Sequence, residues 1–192
     1  MKLTRLILFL RQLIIHPKSI GAAFPSSSKL ADVIAQQIVL EKNNFVVELG
    51  GGTGAITASL LRHAIPTDKL IVIERLPALA QHLQKRFPQV RIIQGDATEL
   101  NKLLDASILP VSAIASSLPM RSLLSLSTAT IKAIGEQIDE VLTPNGIFVQ
   151  FTYGLLSTPL SPSSHLQHLY SKYVWCNFPP ARVDIFRMTM KK

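Results

Sequence analysis

The sequence predicts an α/β fold with a doubly wound, mostly parallel seven-stranded sheet that ends in an antiparallel hairpin. Two observations predict it: short apolar runs alternate with segments of helical periodicity, and a glycine-rich turn follows the first run. The runs expected to form strands lie at 45–49, 69–74, 90–95, 111–115 and 147–152. The last two apolar segments, 172–177 and 182–189, flank a Pro-rich turn and predict the hairpin. At 192 residues the chain is large enough for one such domain.

The connecting segments predict the helices that cover this sheet. Helical periodicity lies at 30–38, 55–63, 76–86 and 124–142, and a Thr-Pro-Asn-Gly turn at 143–146 closes the last helix. Residues 154–168 are rich in Ser, Pro and Leu, which predicts a lid or an insertion. We assign residues 20–192 to one domain, because no internal repeat and no second domain is visible in them.

Residues 1–19 are predicted to form an amphipathic membrane-binding helix. Leu and Ile side chains align on one face of this helix, Arg5 and Arg11 lie on the opposite side, and Pro17 ends it. The apolar run is shorter than the roughly 20 residues that a membrane-spanning helix needs. An interfacial position, with the basic face toward lipid phosphates, is therefore favoured. The alternatives are a helix packed on the domain as additional core and a cleaved signal peptide.

The net charge of +8 is concentrated at this end of the chain. Five basic residues precede the first acidic residue, Asp32, whereas the remainder has 15 basic and 12 acidic residues. A basic, apolar N-terminus predicts an anionic partner, either a membrane surface or a nucleic acid. The single cysteine, Cys176, excludes an internal disulfide and is expected to be a buried small side chain. No spacing of His, Cys, Asp or Glu predicts a metal site.

The glycine-rich turn carries the strongest functional signal. Residues 46–54 read Val-Val-Glu-Leu-Gly-Gly-Gly-Thr-Gly, so that Gly50, Gly52 and Gly54 fall in a G-x-G-x-G pattern two residues after Glu48. A dinucleotide site would have G-x-G-x-x-G. An acid ahead of the turn suits a cationic ligand and repels a pyrophosphate. This is the pattern of enzymes that use S-adenosylmethionine (SAM), whose methionine end is cationic; the alternative is a plain tight turn between strand and helix.

Two further acids end the next two predicted strands. Glu74 closes the second strand about 20 residues past the glycines, which is where a carboxylate accepts hydrogen bonds from ribose hydroxyls. Asp96 follows the third strand and is placed to accept a hydrogen bond from the adenine amino group. Ser116, at the end of the fourth strand, completes the set of candidate cofactor-binding residues. The spacing predicts a Rossmann-like class I SAM-dependent methyltransferase.

The acceptor segment lies just after the fourth predicted strand and reads Ala-Ser-Ser-Leu-Pro-Met-Arg-Ser-Leu over residues 115–123. Enzymes that methylate the exocyclic amine of adenine carry N/D-x-P-Y/F there. This chain has Ser117 at the position of the amide or acid and Met120 at the position of the stacking ring. A flipped-base acceptor is therefore disfavoured.

Beyond the glycine turn, the chain resembles the soluble-type bacterial phospholipid N-methyltransferases, which convert phosphatidylethanolamine to phosphatidylcholine. The more specific segments are Pro-Ser-Ser at 25–27 and Asn-Phe-Pro-Pro-Ala-Arg at 177–182. The other segments that carry the resemblance are the N-terminal helix and residues 21–24, 48–54, 117–119 and 151–154.

The resemblance implies methylation of phosphatidylethanolamine and its mono- and dimethyl forms, with SAM as the methyl donor and no metal. It implies that Tyr153 orients the amine and that Arg121 pairs with the lipid phosphate. Ser117 in the acceptor segment is the third candidate catalytic residue, and Arg182 either binds phosphate or braces the hairpin. No residue is an obvious general base, so water or the lipid phosphate would serve.

The expected partner is an anionic bilayer surface contacted by residues 1–18, at the inner face of the cytoplasmic membrane, with no nucleic acid. The same fold serves ribosomal RNA adenine dimethylases, so an RNA adenine N-methyltransferase is the main alternative. The others are a methyltransferase of another lipid-like small molecule and a SAM-binding interaction module without activity.

Overall fold

The computed structural model describes residues 28–41, 44–109, 111–153, 155–177 and 179–189. The predicted helix at 1–19 lies outside these residues. The described part contains seven strands: β1 (Phe45–Leu49), β2 (Leu70–Glu74), β3 (Arg91–Gln94), β4 (Val111–Ser116), β5 (Leu142–Thr152), β6 (Leu166–Val174) and β7 (Ala181–Met188). Its α-helices are α1 (Ser28–Ala35), α2 (Ala55–Arg62), α3 (Pro77–Arg86), α4 (Leu100–Leu103), α5 (Met120–Leu126) and α6 (Thr128–Val141).

All seven strands form one sheet in the order β3-β2-β1-β4-β5-β7-β6. Strands β1 to β5 are parallel to their neighbours, and β7 pairs antiparallel with both β5 and β6. The predicted doubly wound sheet with a C-terminal hairpin is therefore confirmed. The strand order reverses between β1 and β4, and ligands of open α/β sheets bind at such a switch point, beyond the carboxyl ends of the strands.

The strands alternate their side chains between two cores, one on each face of the sheet. One core packs α1, α2 and α3 against residues such as Val46, Val72 and Ala115. The other packs α4, α5 and α6 against residues such as Val47, Ile114 and Phe148. Burial on both faces explains why these strands read as continuous apolar runs rather than as alternating ones.

The element boundaries differ most from the sequence prediction at three places. The predicted helix 124–142 is two helices, because Ser127 adopts an extended conformation and its hydroxyl caps α6 by accepting from the Thr130 N–H. Strand β5 begins at Leu142 rather than at 147, and the predicted turn lies within it as an irregularity, where Asn145 has a φ of +65°. The strand predicted at 172–177 is Leu166–Val174, so β6 begins inside the segment predicted as a lid. Cys176 is exposed, which contradicts the expected burial.

The connection from β5 to β6 is seated on α6 through a glycine. A Cβ built on Gly135 would lie 2.1 Å from the carbonyl oxygen of Pro162, which is a backbone atom. Asp139, one turn further along α6, accepts hydrogen bonds from the Ser163 hydroxyl at 2.7 Å and from His165 Nδ1 at 2.9 Å. Close backbone contact therefore fixes where this connection lies.

We predict that Gly135→Ala destabilises the protein, although alanine is the better helix former by about 1 kcal/mol. The added methyl group must displace the Pro162 backbone, and overpacking of this kind costs about 2 kcal/mol. The net loss of about 1 kcal/mol should lower the melting temperature by roughly 3 °C in a thermal scan. The exposed α6 substitution Lys132→Ala is the control and should change it little. A higher melting temperature for Gly135→Ala would contradict the contact.

Candidate active site

The glycine turn lies at the carboxyl end of β1, at the centre of the sheet. Gly50, Gly52 and Gly54 have φ values of +80°, +55° and +83°, which side chains other than glycine adopt only with strain. A Cβ on Gly54 would lie 2.5 Å from the Phe87 ring, so this glycine also lets α2 pack closely. A Cβ on Gly51 would lie 2.4 Å from Val72, a packing requirement that the sequence pattern did not single out.

Glu48 is fully buried beneath this turn. Its Oε2 accepts a hydrogen bond of 2.6 Å from the Thr57 hydroxyl of α2, whereas its Oε1 has no hydrogen-bonding partner among the described residues. Burial raises the pKa of Glu48 from 4.5 to about 8. The hydrogen bonds from Thr57 lower this pKa, and the nearby Glu74 carboxylate raises it further. An unpaired buried acid is unfavourable, and a cationic ligand would relieve that cost.

Glu74 ties the end of β2 to the glycine turn. Its Oε2 accepts from the Gly52 N–H at 2.9 Å and its Oε1 accepts from the Leu76 N–H at 2.8 Å. Each carboxylate oxygen can accept a second hydrogen bond, so ribose hydroxyls remain compatible with these contacts. Glu48 and Glu74 lie on the same face of the sheet, and the structure thus brings the two predicted glutamates together.

Asp96 lies beyond β3, next to the end of β2, because the Gly95 N–H donates to the Glu74 carbonyl at 3.1 Å. Its Oδ1 accepts from the N–H and hydroxyl of Thr98, and its Oδ2 lies 3.4 Å from Arg75 Nη1. Partial burial raises the pKa of Asp96, but Thr98 and Arg75 outweigh it and hold the pKa below the ordinary value. The carboxylate is therefore ionised and able to accept from an amino group.

Ser116 is placed differently from the other predicted cofactor residues. Its side chain is fully buried on the opposite face of the sheet from Glu48 and Glu74. Its hydroxyl accepts from the Leu118 N–H at 3.3 Å, so it braces the turn that follows β4. The assignment of Ser116 to the cofactor remains a prediction, and the structure does not group its side chain with the two glutamates.

All three predicted catalytic residues, Ser117, Arg121 and Tyr153, line a cavity of about 430 Å³. The glycine turn reaches this cavity through Ser117 and Leu118, since both lie within 4 Å of a Cβ built on Gly50. The Ser117 N–H donates to the Leu49 carbonyl at 2.8 Å, which joins the cavity to the end of β1. The cavity has the size of a small-molecule site. Its lining also includes Leu118, Pro119, Met120, Ser122, Gln150, Phe151, Thr152, Leu160 and Asp184.

Tyr153 lies at the mouth of this cavity, with 47% of its side chain exposed. Its ring contacts Phe151 edge-to-face, with the ring centroids 5.6 Å apart. Desolvation raises the pKa of the Tyr153 hydroxyl above 10.0, although a hydrogen bond with Asn177 acts in the opposite direction. The phenol therefore keeps its proton at neutral pH and serves as a neutral group that can orient an amine.

The two arginines near the cavity have different surroundings. Arg121 is partly exposed and donates from Nη2 to the Thr158 carbonyl, which leaves further donors for an anion. Arg182 is 3% exposed and forms a bidentate ion pair with Asp184, at 2.7 and 2.9 Å. Its Nη1 also donates to the carbonyl oxygens of Leu155 and Ser157. Of the two predicted roles for Arg182, bracing is the one that these contacts support.

Sequence reasoning missed several polar residues of the site: Thr57, Gln150, Asn177 and Asp184. Gln150 and Asp184 are buried and interrupt apolar strands, Phe-Val-Gln-Phe-Thr and Arg-Val-Asp-Ile-Phe. A polar residue at a core-facing strand position is the signal that would have found them. Among the described residues, no group of three or more His, Cys, Asp or Glu side chains could hold a metal ion.

The residues present fit SAM. The nearby Glu74 carboxylate supplies negative charge at the end of β1, and the unpartnered Glu48 carboxyl can ionise when a cation binds beside it. The glycine turn permits close approach of a ligand to the backbone. Glu74 and Asp96 supply acceptors at the ends of the next two strands. Fold and site together define a class I SAM-dependent methyltransferase.

Known families and relatives agree with this class. The family model described as ribosomal RNA adenine dimethylase matches residues 16–128, and the chain belongs to that family. The chain is also 32% identical over 149 residues to the ornithine lipid N-methyltransferase of Singulisphaera acidiphila, and the match covers 76% of each protein.

Other relatives are ribosomal RNA small subunit methyltransferases A, which are matched only in part. The protein of Novosphingobium aromaticivorans is 38% identical over 85 residues, and the match spans 43% of this chain but only 31% of that relative. The N-methyltransferase NodS from Bradyrhizobium japonicum, solved with S-adenosyl-L-homocysteine, is similar in fold. Its TM-score is 0.68 at 12% identity, with 95% of this chain and 98% of that chain covered.

We predict that Glu48 couples SAM binding to proton release. A cationic ligand lowers the pKa of Glu48 from about 8, so the association constant should rise by up to tenfold per pH unit between pH 6 and 8. Glu48→Gln should bind SAM more weakly and with a flatter pH dependence. Isothermal titration calorimetry in buffers of different ionisation enthalpy measures both quantities.

The same variant should be more stable without ligand at alkaline pH. A carboxyl whose pKa is raised on folding costs stability as the pH rises from 4.5, its ordinary value, to about 8, its folded value. Glu48→Gln removes that cost, so its melting temperature should exceed that of the wild type at pH 8 and approach it at pH 5. A pH-independent difference between the two proteins would contradict the buried, unpaired carboxyl.

Proposed function

We propose that this protein transfers methyl groups from SAM to the amine of phosphatidylethanolamine and its mono- and dimethyl forms, toward phosphatidylcholine. The observation that carries the proposal is the cavity beside the glycine turn, which combines an apolar lining with Tyr153 at its mouth and Arg121 at its wall. These features match the parts of a phospholipid: the aromatic ring can contact the amine, the guanidinium can pair with the phosphate, and the apolar lining suits the adjoining lipid.

The cavity supports an amine acceptor chemically. SAM, when bound, supplies a methyl group on a cationic sulfur, and the acceptor nitrogen needs a free lone pair to take it. Tyr153 keeps its hydroxyl proton and can hold the nitrogen by a hydrogen bond or by the face of its ring. Ser117 is fixed between β1 and the cavity by its N–H bond to Leu49. The protein contributes mainly by positioning and by excluding water.

Exposed apolar side chains surround this end of the sheet and support a membrane-surface acceptor. Thr152, Arg182 and Tyr173 pair across β5, β7 and β6. Tyr153 and Trp175 therefore lie just beyond the ends of β5 and β6, two strand spacings or about 10 Å apart. Trp175 is 68% exposed and stacks on Tyr173 with ring centroids 5.8 Å apart. Trp and Tyr favour the headgroup layer of a bilayer.

Leu156 adds a fully exposed aliphatic side chain to the same end. Arg182 binds the carbonyl oxygens on both sides of it, those of Leu155 and Ser157. The buried guanidinium thus fixes the backbone while the Leu156 side chain points outward. No described helix is long and apolar enough to cross a membrane. We propose peripheral association with the inner face of the cytoplasmic membrane, through residues 1–18 and this exposed apolar cluster of Leu156, Tyr173 and Trp175.

Methylation of an RNA adenine is the second candidate, and the family match favours it. The acceptor turn weighs against it, because it offers no stacking ring and Met120 is only 4% exposed. The relative with the fuller match is named for lipid N-methylation, whereas the related ribosomal RNA methyltransferases described above are matched over less than a third of their length.

The proposal predicts transfer of labelled methyl from SAM to phosphatidylethanolamine vesicles and none to ribosomal RNA. Thin-layer chromatography of the lipids separates mono-, di- and trimethylated products and shows where the series stops. Arg121→Ala should lower lipid turnover at least tenfold through a higher KM, while its affinity for SAM is unchanged. Label in RNA alone would contradict the proposal. Label in a different amine lipid would show that this lipid, rather than phosphatidylethanolamine, is the methyl acceptor.

The exposed apolar cluster predicts a separate effect on membrane binding. The double variant Leu156→Ser with Trp175→Ser should cosediment less with anionic vesicles and turn over vesicle lipid several-fold more slowly, with unchanged SAM affinity. Val39→Ser is the matched control, since Val39 is 70% exposed but precedes the amino end of β1. Equal vesicle binding by wild type and double variant would rule out a lipid contact for this cluster.

A further inference from the structure

A row of three buried polar residues crosses the sheet, and two of them, Gln150 and Asp184, line the floor of the cavity. Ser116, Gln150 and Asp184 pair with one another across β4, β5 and β7. Ser116 binds the Leu118 N–H, and Asp184 binds Arg182 and the Ser171 hydroxyl. Gln150 differs from both neighbours, because it is 4% exposed and its Oε1 has no hydrogen-bonding partner among the described residues.

The orientation of the Gln150 amide is fixed by its other end. Nε2 donates to the carbonyl oxygen of Leu160, and a carbonyl only accepts, so a flipped amide would oppose two oxygens. Oε1 is therefore the atom of this amide that lacks a hydrogen-bonding partner among the described residues, and the Gln150 side chain lines the cavity. A buried acceptor without a donor is unfavourable and rare in folded proteins.

We propose that Gln150 Oε1 accepts a hydrogen bond from an N–H of the acceptor amine, and that it thereby favours amines that still carry an N–H. This inference rests on the proposed lipid-amine acceptor and deepens it. Gln150 acts as a specificity-determining residue. Tyr153 lies at the mouth of the cavity and Arg121 at its wall, whereas Gln150 provides a hydrogen-bond acceptor at the floor that contacts the substrate nitrogen directly.

The consequence depends on how many methyl groups the nitrogen already carries. A neutral primary amine has two N–H groups, a secondary amine has one, and a tertiary amine has none. Gln150 therefore assists the first and second methyl transfers and not the third. The fully methylated product offers no donor, so Oε1 returns to its unpaired state and the product is held less tightly.

The test compares Gln150→Met with Gln150→Glu on three lipids. Methionine is of similar length and removes the acceptor oxygen, whereas glutamate keeps an acceptor oxygen and replaces the amide nitrogen that binds Leu160. Initial rates are measured on vesicles containing phosphatidylethanolamine, its monomethyl form or its dimethyl form, with labelled SAM. Thermal scans and SAM calorimetry check that each variant is folded.

Gln150→Met should lower kcat/KM at least tenfold on the unmethylated and monomethyl lipids and less than threefold on the dimethyl lipid. Gln150→Glu should keep the wild-type order of preference. An equal loss on all three lipids, shared by both variants, would show that Gln150 only braces Leu160 and would overturn the inference while the proposed function stands. Wild-type inactivity on all three lipids would overturn both.

A measurement on the wild type alone covers the case in which Gln150→Met does not fold. In the presence of S-adenosyl-L-homocysteine, phosphoethanolamine should inhibit lipid turnover at least tenfold more strongly than phosphocholine, because only the former has N–H groups. Equal inhibition by the two compounds would overturn the inference.

Discussion

The burial of Glu48 under the glycine turn is the constraint on which the rest of the site depends. The carboxyl lies at the centre of the sheet, where β1 has β2 on one side and β4 on the other, and α2 closes over it through Thr57. Such a position makes the charged form costly, so the pKa rises to about 8. The apo protein thus carries an unfavourable group whose natural complement is a cation.

Hydrogen bonds connect the glycine turn above Glu48 to the strands on both sides of β1. Toward β2 and β3, Glu74 fastens the glycine turn through Gly52, and Asp96 follows at the next strand end. Toward β4 and β5, Ser117 is bonded to Leu49 and opens the acceptor cavity. The proposed donor and acceptor sites therefore lie side by side at the switch point of the sheet. In the proposed reaction, the protein would contribute mainly by positioning the substrates and by excluding water.

The acceptor side is held by the buried pair of Arg182 and Asp184. A buried pair of this kind adds little net stability, and it is better regarded as a positioning device. The guanidinium fixes the backbone at Leu155 and Ser157, while Asp184 contributes to the floor of the cavity and binds Ser171 on the edge strand. One ion pair thereby joins the connection after β5, the cavity and the hairpin.

The fold class and the donor acids could be predicted because the signals for both lie in local sequence. Apolar runs, the glycine spacing and acids at strand ends are short-range signals, and Glu48, Glu74 and Asp96 all lie where those signals placed them. A polar residue within an apolar strand marks Gln150 and Asp184 as unusual, but their roles and that of Asn177 could not be predicted from local sequence. Those roles arise from strand pairing and from contacts with the connection between β5 and β6. Ser127 is a local example of the same difficulty. Hydrophobic periodicity predicted one continuous helix, whereas the Ser127 hydroxyl caps a second helix that begins at Thr128.

A crystal structure with S-adenosyl-L-homocysteine and a short-chain phosphatidylethanolamine would test the proposed site most directly. We expect the cofactor's methionine end over Glu48 and the lipid amine in the cavity, between Tyr153 and the position of the sulfur, with the acyl chains leaving past Leu156. A headgroup bound elsewhere, or a cofactor whose sulfur does not face this cavity, would contradict the proposed site.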